Sequence, residues 1–256
     1  MWFTRKPLSE DQAATLHEEA WTAFRQRDFD TALKHFKTFA KALPDDPRWM
    51  NGIGAVSLAR QEHADARRHF QMAAERDYPG GHYNLGLMAY GEDDPVTAVE
   101  HLQRAARQDY PLASNVLGDI HLDAERYEEA EQAYRRAAEL GHTDGYNNLG
   151  LLYLKLEAYE QAKQALLQAL ESDHVYAKHN LAVAYHRLGE LEAAERWYHI
   201  SFADHGNLQS LENLGHVYCD SGRQTEGEAL VEASDKLYED RPLNDYEQSL
   251  VDRLLA

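Results

Sequence analysis

Tyr146-Asn147-Asn148-Leu149-Gly150-Leu151-Leu152-Tyr153 is the stretch from which the rest of the chain can be read. Its glycine lies among leucines and tyrosines at three- and four-residue spacing, the period of a helix with one buried face. The position recurs: Gly54, Gly86, Gly118 and Gly150 stand 32 residues apart, Ala182 takes the next slot, and Gly215 lies 33 further on. A second small-residue series runs through Ala66, Ala98, Ala130, Ala162, Ala194 and Gly227. Counting back 34 residues from Gly54 reaches Ala20, whose partner is Ala32, and Pro44 closes that first unit. A small residue on each helix of an antiparallel pair lets the backbones approach, and larger side chains fill the groove around the contact. The chain therefore reads as helix A, turn, helix B, for example Tyr146 to Leu156 and then Tyr159 to Glu171. One such pair cannot cover its own apolar face, so stacking of successive pairs is obligatory.

Local signals agree. Asp94 is placed to cap a helix opening at Pro95, and Gly141 follows a helix ending near Leu140. Phe36, Phe70, Leu102, Tyr134, Leu166 and Tyr198 fall at helix B positions that face the partner helix and read as core. Asn244 to Leu255 reads as a final helix that shields the last unit.

Hydrophobic residues make up 43% of the 256, enough to build a core, so the mean hydropathy of -0.68 reflects abundant solvated charge. The net charge is -18: residues 1–128 carry 15 basic and 21 acidic side chains, and the remainder 11 and 23. No basic stripe is present to displace counterions, which argues against DNA, RNA or anionic lipid as partner. The single cysteine, Cys219, excludes an internal disulfide and suits a reducing compartment, so a cytoplasmic location is expected. Polar Ser9-Glu10-Asp11-Gln12 stands where a signal peptide needs apolar residues, and no run approaches the roughly 18 apolar residues of a membrane span. Trp2 and Phe3 are expected to pack on the first helix.

The opening stretch, followed by Tyr159, Ala162 and Ala169, resembles a tetratricopeptide (TPR) repeat with Tyr in place of the usual first Trp. Units two to four also resemble Sel1-like repeats, which end helix B in a double alanine before a short turn: Ala73-Ala74, Ala105-Ala106, Ala137-Ala138, and then Glu139-Leu140-Gly141-His142. The resemblance implies an all-α, right-handed superhelical solenoid of about seven helix-turn-helix repeats. The division expected is an extension over 1–9, units near 10–46, 47–78, 79–110, 111–142, 143–174, 175–207 and 208–240, and a capping helix within 241–256.

The resemblance also implies that the A helices line a concave face where a protein or peptide segment lies. The slots on that face nominate Trp21, Phe24, Asn51, Tyr83, Asn84, Tyr90, Asn115, Asn147, Asn148, His179, Asn180 and Asn213 as peptide contacts. Asn84, Asn148, Asn180 and Asn213 share one slot and resemble the asparagine ladder of TPR solenoids that hold extended peptides; the alternative is that these amides bond the neighbouring helix. The carboxylate clamp of other TPR proteins needs Lys or Arg at groove slots that carry no Lys here. An uncharged groove suits an internal apolar segment or an amphipathic helix.

The leading expectation is thus a non-catalytic interaction scaffold with no cofactor. One alternative is a self-associating subunit of a larger complex. Another is a metal- or thiol-dependent enzyme built on His179, His186, His216 and Cys219, but seven residues of helix place His179 and His186 about 10 Å apart, too far to share one ion. Phosphate-binding glycine loops, paired-cysteine zinc motifs and nucleophile elbows are absent, and Glu92-Asp93-Asp94 lacks the ligand spacing of a calcium loop.

Overall fold

The computed structural model describes residues 10–172 and 174–255. The 1–9 extension and the expected packing of Trp2 and Phe3 lie outside the described residues. Fifteen helices follow one another, and no strand occurs among the described residues: α1 (Glu10–Arg25), α2 (Phe29–Ala42), α3 (Pro47–Ala59), α4 (His63–Ala74), α5 (Pro79–Gly91), α6 (Pro95–Ala106), α7 (Pro111–Asp123), α8 (Tyr127–Glu139), α9 (Thr143–Lys155), α10 (Tyr159–Glu171), α11 (Ala177–Arg187), α12 (Leu191–His205), α13 (Leu208–Asp220), α14 (Gln224–Tyr238) and α15 (Asp245–Leu255). Odd-numbered helices up to α13 are the A helices and even-numbered ones the B helices. Helix α9 begins three residues before Tyr146, because His142 caps it by accepting from the Asp144 N–H.

Glycine and alanine act where expected. A Cβ on Gly54 would lie 2.6 Å from the Phe70 ring, and one on Gly150 only 2.4 Å from Leu166 Cγ, so the B-helix side chains occupy the space that the missing side chains leave. Ala66, Ala98, Ala130, Ala162 and Ala194 are fully buried opposite them, as are Phe36, Phe70, Leu102 and Leu166.

The turns share one device. Inside the repeats, a left-handed residue recurs at Arg27, Gln61, Asp93, Glu125, Glu157, Gly189 and Gly222; between repeats it recurs at Asp77, Asp109, Gly141, Gly206 and Asp240. A single αL residue reverses the chain at a helix C-terminus while satisfying the last carbonyls, as when the Glu62 N–H, beyond Gln61, returns to Ser57 O at 2.9 Å. Asp94 then caps α6 by accepting from the Thr97 N–H at 3.1 Å.

The described residues form two compact units divided after Ile120. The first contains a cluster of Ala20, Ala32, Phe36, Ile53 and Val56, and a second of Ala66, Phe70 and Leu85. The second unit ends in a larger cluster in which Leu250 and Val251 of α15 join Tyr198, Phe202, Leu214 and Leu230. The start of α15 is a reciprocal cap: Asn244 Oδ1 accepts from the Glu247 N–H at 2.9 Å, and Glu247 Oε2 accepts from the Asn244 N–H at 2.9 Å. Glu247 is buried and also receives Lys236 Nζ at 2.6 Å, while His199 Nε2 donates to the Leu254 carbonyl. None of the described helices is long and apolar enough to cross a membrane.

Candidate functional site

In the first unit, one cavity of about 560 Å³ brings five of the expected contacts together. Helix α1 contributes Trp21 and Phe24, α3 contributes Asn51, and α5 contributes Tyr83 and Asn84; Ala55, Leu58 and Ala59 of α3 lie among them. Trp21 and Phe24 pack edge to face with ring centroids 5.3 Å apart, and Trp21 Nε1 donates to His17 Nε2 at 2.9 Å. Among the described residues, no charged side chain lines the cavity. Tyr90, 39% exposed, does not line it.

Two further lining residues, Tyr78 and Tyr110, were not selected from the sequence. A signal existed: Asp77-Tyr78-Pro79 and Asp109-Tyr110-Pro111 repeat at 32 residues. The proline opens the next A helix and holds the preceding tyrosine extended, at φ -84 and ψ 122 for Tyr78. Tyr110 packs against Tyr83 with the rings tilted by 50° and their centroids 5.3 Å apart. Burial pushes the Tyr110 phenol up to about 12 and raises Tyr78 and Tyr83 as well, with Asp119 adding to the effect on Tyr83.

The asparagines bond one another across repeats. Asn84 Nδ2 donates to Asn51 Oδ1 at 2.8 Å and to the Gly80 carbonyl at 2.9 Å. In the second unit, Asn180 Nδ2 donates to Asn147 Oδ1, also at 2.8 Å. The acceptors are buried, at 7% and 5% exposure for Asn51 and Asn147. One amide thus ties each of these A helices to the A helix before it, and both N–H groups of Asn84 are consumed. Asn213 is hydrogen-bonded to Tyr198, and Asn115 and Asn148 have interactions of their own.

The second unit has a more polar cavity of about 490 Å³, lined in part by His186, Arg187, Asn213, His216 and Asp220. His186 Nε2 meets Asp220 Oδ2 at 2.7 Å, and His216 stands 3.9 Å from Glu212. His179 Nδ1 pairs with Ser210 Oγ at 2.8 Å, and burial lowers its pKa. Cys219 Sγ is 3.9 Å from the Gln224 carbonyl. The four residues considered for metal or thiol chemistry therefore turn to four different partners, and no three His, Cys, Asp or Glu are arranged to hold a metal among the described residues.

Among curated protein sequences nothing matches this chain. Among solved structures it is similar to c5321, a protective antigen present in uropathogenic Escherichia coli strains displaying an SLR fold, at 17% identity and a TM-score of 0.69 over 95% of this chain and 60% of that one. It is similar to Pseudomonas aeruginosa PilF at 21% identity and a TM-score of 0.62, over 81% and 97% of the two chains. A third likeness is to a chain of the APC/C hetero-tetramer Cut9-Hcn1, at 21% identity and a TM-score of 0.61, over 80% of this chain and 42% of that one. The chain thus spans 42% to 60% of the length of two of these relatives, and at such identities the likeness is one of fold. Tetratricopeptide repeat profiles match residues 17–82 and 83–144, and others match 143–173 and 175–199. With half of the sequence covered by one such profile, and small residues closing the helix pairs as described, the chain belongs to the tetratricopeptide repeat family.

Proposed function

We propose that the chain is a non-catalytic, cytoplasmic protein-interaction scaffold that holds a peptide or helical segment of a partner protein in the cavity between α1, α3 and α5. The repeat division stated above, with 241–256 as cap, is part of this proposal. The observation that carries it is the convergence of Trp21, Phe24, Asn51, Tyr83 and Asn84 on one cavity of about 560 Å³ whose lining, among the described residues, is uncharged. Apolar cavities with a few convergent polar groups are the common form of a ligand site, and Trp and Tyr dominate binding energy at interfaces.

The test selects a binding peptide from a random library against the full chain and measures its affinity for Trp21→Ala and Tyr83→Ala variants. If each ring is an anchor contributing about 2 kcal/mol, each change weakens binding roughly 30-fold. Unchanged affinity in variants with native circular dichroism sinks the reading. Self-association is the second reading, favoured by exposed Tyr238, Tyr246 and Leu255 at the C-terminal end; a mass by light scattering that stays constant with concentration would exclude it.

A further inference from the structure

Among the described residues, no cation lies over the rings lining the first-unit cavity. Elsewhere the protein covers aromatic faces with its own charges: Arg48 lies 5.1 Å from the Phe39 centroid, Lys163 5.6 Å from Tyr185 and Arg223 3.5 Å from Tyr218. Lys155 over Tyr127 and Arg196 over Trp197 complete the set, and among the described residues none of these contacts falls on Trp21, Phe24, Tyr78, Tyr83 or Tyr110. Arg48 comes near Tyr78, but Asp46 holds its guanidinium at 2.6 and 3.0 Å.

Three properties of the cavity select the same kind of ligand. Five aromatic rings, those of Trp21, Phe24, Tyr78, Tyr83 and Tyr110, line the cavity, and a ring quadrupole attracts a cation more strongly once water is excluded. Asn84, a lining residue, gives both N–H groups to Asn51 and Gly80, so the capacity left to its side chain is that of its Oδ1, an acceptor. Residues 1–128, which contain the cavity, carry 15 basic and 21 acidic side chains, a net charge of -6 that draws cations in and repels anions.

We infer that this cavity receives a cationic side chain of the partner segment, with arginine preferred to lysine. The inference rests on the groove reading above and adds the chemistry of the occupant. A guanidinium is planar, more weakly hydrated than an ammonium and rich in donors, so it stacks on the rings and serves the Asn84 oxygen together.

The probes are two seven-residue peptides of alanine and leucine with one central residue, arginine in one and its neutral isostere citrulline in the other. Binding to the full chain is followed through the ring resonances of Tyr83 and Tyr110 and the δ-methylene protons of the probe. The arginine peptide should bind about tenfold tighter, with its δ protons shifted upfield by the rings. Tyr83→Leu with Tyr110→Leu should abolish the preference, and Tyr83→Phe should keep it, since the ring face survives. Equal affinity of the two peptides, with both perturbing the rings, overturns the cation while leaving the groove standing. An arginine preference that persists in the leucine variant with the δ protons no longer shifted upfield also overturns it, because the cation then lies off the remaining rings and the acidic surface suffices. If neither peptide moves the ring resonances, the cation and groove readings fall together. Should the leucine variant fail to fold, the comparison of arginine and citrulline on the unaltered chain decides.

Discussion

Asn180→Ala removes the amide that donates to Asn147 Oδ1 at 2.8 Å and strands that oxygen on a residue only 5% exposed. A hydrogen bond contributes about 1 kcal/mol net, but an acceptor left buried without a partner costs about 1–3 kcal/mol. Asn84→Ala does the same to Asn51 and also gives up the bond to Gly80. The two sites lie in separate compact units, so their effects should add within about 0.5 kcal/mol. Truncating both members of one pair should cost about 1 kcal/mol less than the sum of the singles, because the second change removes the stranded oxygen. A global midpoint averages over repeats whose stability is a sum of units and interfaces, whereas native-state hydrogen exchange reads each helix. In Asn180→Ala, amides of α9 and α11 should exchange roughly five- to hundredfold faster while those of α3 and α5 keep their rates, and Asn84→Ala should show the reverse. If Asn180→Ala leaves exchange in α9 and α11 untouched but weakens a groove-bound peptide, the amides are recognition groups and the inter-repeat role assigned here is wrong.

Two other outcomes follow from particular contacts. His82 on α5 and His101 on α6 face each other Nδ1 to Nδ1 at 3.0 Å, which requires one donor and one acceptor, so the two rings cannot both be protonated while the bond holds. Burial foremost, then His101 and Arg104, lowers His82 despite Asp77; burial and Arg104, with Arg67, lower His101 despite Glu100. With folded-state values below 6.5, the unfolded chain takes up these protons first, so stability is intact above 6.5 and declines as the pH falls below it. In His101→Asn, which hydrogen-bonds but does not titrate, the urea midpoint should fall less steeply from pH 6.5 to about 5, and an unchanged slope would contradict the assignment. Gln61→Gly and Glu157→Gly should each stabilise by roughly 0.5–1 kcal/mol, since relief of about 1–2 kcal/mol of left-handed strain exceeds the added unfolded-state entropy of about 0.4–1 kcal/mol. Gly189 and Gly222 already occupy the equivalent turns, at φ 75 and 84, and a melting temperature that does not rise in either variant refutes the argument.

The repeat could be read directly because its cause is local. Two helices approach closely only where a side chain is nearly absent, so Gly54, Gly86 and Gly150 mark the contact in any listing of the residues, and their spacing gives the period. The helix B row from Phe36 to Tyr198 is core for the same reason, as the filling around that contact. The candidate site was only half legible. A-helix register predicted Trp21, Phe24, Asn51, Tyr83 and Asn84, but Tyr78 and Tyr110 sit in turns, where Pro79 and Pro111 read as punctuation and nothing local says that the ring before them folds over a cavity. By spacing, His179 and His186 share a face of one A helix, and His216 and Cys219 stand three apart on the next; yet His179 and His186 bond Ser210 and Asp220 at 2.8 and 2.7 Å, and His216 and Cys219 have neighbours of their own at 3.9 Å, since hydrogen bonding is decided by what stands within reach in the fold.

By itself, the sequence determined the repeat, the order of its helices, the small-residue contacts and the buried rows, all of which follow from one chain's periodicity. Only the tertiary structure decided that Asn84 reaches Asn51 and Asn180 reaches Asn147, and that both N–H groups of Asn84 are thereby taken. The reason is that an amide's partner lies 33 residues away on the preceding A helix, and stacking alone brings the two within a bond's length.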